Sequence, residues 1–144
     1  MVYTAVAFRR PVCFSLPALR ELPLRASCGF PSPAADYAGD ELRLEDYFLK
    51  RPNATFAVRM QGEALTGAGI FDGDTLFVDT SVTPANGHLV LAVLNGELIV
   101  RRLVLSNGLP RLHPENPAFA ILEPTDSTGF SIEGVVVSCG RRFF

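Results

Sequence analysis

Residues 88–105 read His-Leu-Val-Leu-Ala-Val-Leu-Asn-Gly-Glu-Leu-Ile-Val-Arg-Arg-Leu-Val-Leu, two apolar runs joined by Asn95-Gly96. A two-residue Asn-Gly loop supplies positive φ at both positions of a type I′ turn, whose twist matches that of the flanking strands. The stretch therefore predicts a hairpin of 88–94 with 97–105, and with it a mostly β chain. Working outward, further β-branched and leucine-rich runs at 55–60, 75–79, 109–113 and 130–138 read as strands, punctuated by Asn86-Gly87 and Asn107-Gly108. Only one segment carries helical spacing: from about residue 41, Leu44, Tyr47 and Phe48 fall at i, i+3 and i+4, predicting a short amphipathic helix that ends before Pro52. Asp40, Glu41, Glu45 and Asp46 would form its solvated face and first turn, where the helix dipole favours negative charge.

The chain has 144 residues, 48% apolar and 19% charged, which suffices for one domain with a real core. A net charge of −2 gives no electrostatic footprint for DNA or an anionic membrane, so direct DNA binding is not expected. Residues 1–28 hold three prolines, Pro11, Pro17 and Pro23, and no clean period, and read as an arm that packs on something else. Those prolines, with Arg20, Glu21 and Arg25, break up the apolar stretch of about 7–15 residues that a signal peptide needs. No window approaches the ~20 apolar residues of a membrane helix. Cys13, Cys28 and Cys139 lack metal-ligand spacing and lie away from His88 and His113, so a reducing cytoplasm and no metal or cofactor are expected.

Several residues could carry chemistry and read more simply as structure. Thr66 and Ser81 are candidate nucleophiles with no base placed beside them, and turn or cap roles suit them better. Asp72-Gly73-Asp74 could begin a cation loop but lacks the further ligands of one, and reads as a tight turn entering the strand at 75. His88 and His113 read as surface or strand-edge histidines. Arg101 and Arg102 are neighbours on a strand, so alternation sends them to opposite faces, one toward a cleft and the other toward water.

One combination of segments is specific. Cys28-Gly29-Phe30-Pro31-Ser32-Pro33-Ala34-Ala35-Asp36-Tyr37, then Arg-Pro-Asn-Ala-Thr-Phe at 51–56, Gly-Ile-Phe-Asp-Gly-Asp at 69–74, Val78-Asp79 and Gly96-Glu97 together resemble the UmuD family, self-cleaving relatives of LexA. The resemblance covers residues from 28 onward and implies a LexA and signal-peptidase-like β-clip core at 29–144, preceded by an extended arm at 1–28. It also implies a cytoplasmic bacterial protein of the SOS response that dimerises with itself or a homologue. In the family, a RecA filament stimulates cleavage at the bond matching Cys28-Gly29, and the shortened product joins a Y-family polymerase for translesion synthesis.

The resemblance fails where the family keeps its chemistry. Val58-Arg59-Met60-Gln61-Gly62-Glu63-Ala64-Leu65 has the layout in which the family writes Gly-Asp-Ser-Met, so Ala64 stands at the nucleophilic serine. Glu97-Leu98-Ile99-Val100-Arg101-Arg102-Leu103 resembles the segment with the catalytic lysine, so Arg101 stands at the base. A Ser-Lys dyad works because a desolvated lysine becomes neutral and accepts the serine proton. Alanine has no nucleophilic atom, and a guanidinium, far more basic than a lysine amine, does not give up its proton in proteins. Lys50 is the only lysine, and nothing in the sequence brings it in as a substitute. Glu63 and Leu65 depart from the family's Asp and Met as well, and a drift of three neighbours favours natural loss over an engineered inactive mutant. The expectation is a chain that keeps its cut site and has lost its cutter, acting either as a dimer partner cut in trans or as a non-cleavable decoy that restrains mutagenesis.

Overall fold

The computed structural model describes residues 19–20 and 41–144; the rest of the expected arm and the Cys28-Gly29 bond lie outside them. The chain divides between Tyr47 and Phe48 into two compact units. In the first, β1 (Leu19–Arg20) pairs antiparallel with β2 (Glu41–Leu42). Helix α1 (Leu44–Phe48) follows where the spacing predicts it, but it is a single turn with no buried residue. Glu45 and Asp46 occupy its first turn, whereas Glu41 lies on β2 and not on the helix.

The second unit is built on one antiparallel sheet. Its strands are β3 (Thr55–Arg59), β4 (Thr75–Asp79), β5 (Leu89–Leu94), β6 (Glu97–Ser106), β7 (Leu109–His113) and β8 (Phe130–Gly140), in the order β3-β4-β8-β5-β6-β7. All six predicted strands are present within two residues of their expected ends. Asn95 (φ 52°) and Gly96 (φ 80°) turn β5 into β6, pairing Leu94 with Glu97 as a two-residue loop requires. Asn107 (φ 51°) and Gly108 (φ 76°) repeat the device between β6 and β7. Single turns of 3₁₀ helix occupy Pro52–Ala54 and Thr66–Ala68. The mostly β class, with short helices, is that of a LexA-like β-clip core.

Alternation along β5 sorts the core into two faces. Leu91 packs with Met60, Leu65, Ile70, Leu76, Val78 and Val100, while its neighbours Val90 and Ala92 pack with Leu103, Leu112 and Val135. Strand β8 crosses between the two halves by bulging twice. Its register slips at Val137, between the partners of Phe77 and Val78, and again at Glu133, between those of Leu91 and Ala92. Each slip leaves one residue unpaired and increases the local twist.

Gly134, beside the second bulge, has no room for a side chain: a Cβ there would lie 2.6 Å from Val78 Cγ1 and 3.0 Å from the Asp79 carbonyl. Gly134→Ala is expected to lower unfolding free energy by about 1–3 kcal/mol, the range for overpacking a core, read as a shifted urea midpoint with unchanged slope.

Candidate functional site

The loop from Met60 to Asp74 carries the position expected for the nucleophile, and it is closed at its base by backbone. Met60 N–H donates to the Asp74 carbonyl (2.7 Å) and Gly73 N–H to the Met60 carbonyl (2.8 Å). Inside the loop, Gly62 turns at φ 92° and donates its N–H to Asp72 Oδ1 at 2.7 Å. Leu65, fully buried, anchors the segment in the core, and Ala64 beside it is 4% exposed.

A second loop, residues 114–119, grips this segment from outside. Glu115 N–H donates to the Ala64 carbonyl (2.8 Å), and Gly67 N–H donates to the Glu115 carbonyl (2.7 Å). Asn116 Nδ2 donates to the Glu63 carbonyl at 2.8 Å. Gly67 is needed for space alone, since a Cβ would sit 2.4 Å from the Glu115 carbonyl oxygen.

The same loop meets both strand arginines. Arg101 lies on β6 opposite Val90, with its guanidinium carbon 5.8 Å from the centroid of the Phe119 ring. Its Nη1 donates to the carbonyl of adjacent Val100 at 2.8 Å, and its Nε is buried with no partner among the described residues. That burial pushes the guanidinium below its ordinary pKa; arginine remains a cation in proteins all the same. Arg102 was expected in water if Arg101 faces a cleft, but it is half-buried. Its Nε pairs with the Glu115 carboxylate and its Nη1 donates to the Gly87 carbonyl at 2.7 Å. The ion pair follows from the grip on Ala64, which brings Glu115 beside β6. Loop 114–119 thus touches both expected dyad positions, Ala64 through Glu115 and Arg101 through Phe119, and neither side chain offers a nucleophile or a base.

The other candidates fall into structural roles. Ser81 Oγ donates to Asp79 Oδ1 at 2.6 Å, and its N–H reaches the same oxygen at 2.8 Å. Burial alone would raise the Asp79 pKa, but the Ser81 hydroxyl and amide, with Arg51 nearby, hold it below the usual carboxylate range. A carboxylate so stabilised is a poor base, and Ser81 is a turn residue. Thr66 opens the 3₁₀ turn and accepts the Gly69 N–H at 3.0 Å. His88 Nδ1 accepts the Ala85 N–H at 3.2 Å, while His113 Nε2 is buried without a partner among the described residues.

Asp72-Gly73-Asp74 is the expected tight turn, but Asp74 does more than enter a strand. It is 1% exposed and takes a fork from Arg141, Nε to Oδ1 at 2.6 Å and Nη2 to Oδ2 at 2.7 Å, together with the Phe71 N–H at 2.8 Å. Arg141 also donates to the Gly69 carbonyl (3.0 Å) and stacks over the Phe71 ring, 4.5 Å from its centroid. The Arg141 hydrogen bonds, against the opposing effect of burial, hold the Asp74 carboxyl below its ordinary value. Sequence reading missed this pair and the gripping residues Glu115, Asn116 and Phe119. The one available signal was Asn116 followed by Pro117, which marks a turn.

Comparison with known proteins identifies the family. The family described as Peptidase S24-like matches residues 20–137. Protein ImpA of Escherichia coli is 43% identical over 120 residues, covering 82% of each chain. Protein SamA of Salmonella typhimurium is 40% identical over 124 residues, 86% of each. Protein MucA of Escherichia coli is 40% identical over 114 residues, 78% of this chain and 77% of the relative. With a family match over most of its length and relatives of this identity along more than three quarters of both chains, the chain belongs to the Peptidase S24-like family, in the UmuD group.

Proposed function

We propose that the chain is an SOS mutagenesis protein of the UmuD type, an accessory subunit to a Y-family polymerase in error-prone translesion synthesis, that has lost self-cleavage. What carries this reading is Ala64, buried and bonded through its carbonyl to Glu115 at the position the resemblance gives the serine, together with Arg101 on β6 at the position it gives the lysine. The arm, residues 1–28, is cut at Cys28-Gly29 in trans by an active homologue with which the chain dimerises at a RecA filament, leaving a core of 29–144. The family resemblance and the relatives support the SOS role. The missing hydroxyl and the permanently protonated guanidinium support the loss of chemistry.

The test is the intact mass of the chain and of an Ala64→Ser/Arg101→Lys variant after incubation at high pH, where a lysine in this site is neutral. A fragment beginning at Gly29 is expected from the double variant alone. A fragment from the unaltered chain overturns the reading, and silence from both locates the loss in the scaffold. Mixing the unaltered chain with an active homologue and RecA filaments then reads the in-trans step: an arm that stays attached replaces it with the non-cleavable decoy.

A further inference from the structure

The arginines of the described structure divide by how their charge is met. Arg51 lies 3.6 Å from Asp79, Arg111 3.1 Å from Glu123 and Arg141 2.6 Å from Asp74, and Arg102 pairs with Glu115. Arg43, Arg59 and Arg142 are exposed to solvent. Arg101 belongs to neither group. It is half-buried, its Nε is shut from solvent without a partner, and among the described residues no carboxylate pairs with it.

A cation taken out of water without a counter-charge is destabilising, and packing gives this one little in return. The Phe119 ring contributes a cation–π contact and the Val100 carbonyl one hydrogen bond. Neighbouring acceptors are engaged elsewhere: Glu115 by Arg102, and Asn116 Oδ1 by the Ala118 N–H at 3.0 Å. Where a lysine could shed its proton and become neutral, arginine keeps both its charge and a planar fork of N–H donors that fits a carboxylate with two parallel bonds.

We propose that Arg101 makes this a carboxylate-binding site for a peptide chain. The inference rests on the reading that the site receives a chain segment and no longer cuts it. It adds that the site prefers a segment bearing a carboxylate, so that a severed arm ending in the Cys28 α-carboxylate is held more tightly than an uncut one, whose Cys28 carbonyl is a neutral amide.

The experiment measures binding of fluorescent peptides with the sequence of residues 19–28 to the full chain by anisotropy. One peptide ends in a free acid, one in an amide, and one is the acid carrying Glu21→Gln. The free acid is expected to bind about tenfold or more tighter than the amide, as hydrogen bonds between charged partners allow. Arg101→Gln should abolish the preference, and Arg101→Lys, which keeps the charge without the fork, should retain only part of it. Acid and amide binding alike, with Glu21→Gln weakening the acid about tenfold, would overturn the proposal, because the Glu21 side chain and not the severed end would then be the ligand.

Three peptides that bind equally, no binding at all, or a preference that survives Arg101→Gln would each overturn the proposal. The Arg101 Nε resonance of the unaltered chain, followed through the titration with the acid peptide, gives the same answer should Arg101→Gln fail to fold: it shifts if the site is real and stays fixed if it is not. The mass measurement on the double variant does not depend on any of these results, so failure here is distinct from failure of the functional reading.

Discussion

Asp74→Ala is expected to destabilise the β unit by about 3 kcal/mol, measured as a drop in urea midpoint. The figure comes from hydrogen bonds and not from Coulomb energy. Truncation removes the acceptor of the Phe71 N–H and of the two Arg141 donors at once. An abandoned, partly buried N–H costs about 1–3 kcal/mol, and bonds to a charged group contribute about 1.5–3 kcal/mol each before water compensates the donors it can reach. Arg141 is 37% exposed, so its freed guanidinium is rehydrated and the screened attraction between the charges is left out of the sum.

The same substitution should change the response to acid. The folded Asp74 carboxyl lies below its ordinary value of 3.8. Its contribution is therefore complete above that pH and is lost as pH falls through the folded value. Asp79 is depressed likewise. The unaltered chain should lose stability steeply below about pH 4, while Asp74→Ala should show a shallower slope, with Asp79 alone supplying it. An unchanged slope would mean that Arg141 does not stabilise the ionised carboxylate.

Gly67→Ala is expected to slow cleavage by the Ala64→Ser/Arg101→Lys variant about a hundredfold, the scale on which a 1 Å misplacement acts. The new Cβ would meet the Glu115 carbonyl at 2.4 Å, and because that atom is backbone the whole 114–119 loop must retreat. With it go the grip on the Ala64 carbonyl and the Arg102 pair, and Phe119 moves away from residue 101. Gly129→Ala serves as the control: a Cβ there meets nothing within 4 Å, and φ lies outside the left-handed range. Cleavage by Gly129→Ala should match that of the parent double variant. Equal rates for Gly67→Ala and its parent would show that the outer loop has no part in positioning the site.

What could be seen in the sequence was what short range decides. Asn95-Gly96 dictates its own turn, and the alternating runs around it dictate strands, so the hairpins and strand ends were legible. The expected dyad positions were assigned from Gly62-Glu63-Ala64-Leu65 and Val100-Arg101, each of which lies within one segment. What was hidden depends on partners far apart in the chain. Asp74 and Arg141 are separated by 67 residues, and nothing near either announces the other. Arg102 has the composition of a solvent-facing residue, and only the arrival of Glu115, fixed by a backbone bond to Ala64, takes it out of water. The bulges at Glu133 and Val137 are differences of register between two partner strands, a quantity that one strand's sequence does not contain.

The strand order bears on when the sheet can exist. In its hydrogen bonding, β3 and β4 form one pair and β5, β6 and β7 a meander, and the two are joined only through β8. Strand β8 is the last of the six to leave the ribosome. Until it does, β4 and β5 each present an open edge, and the two halves meet through the packing of Leu91 and Val100 on Met60, Leu65, Leu76 and Val78 and through the bonds of loop 114–119 to residues 63–67. A nascent chain stalled before residue 130 would carry two β modules that share core contacts but leave the facing edges of β4 and β5 unpaired, and that is the stage at which a chaperone or a second nascent copy would find it.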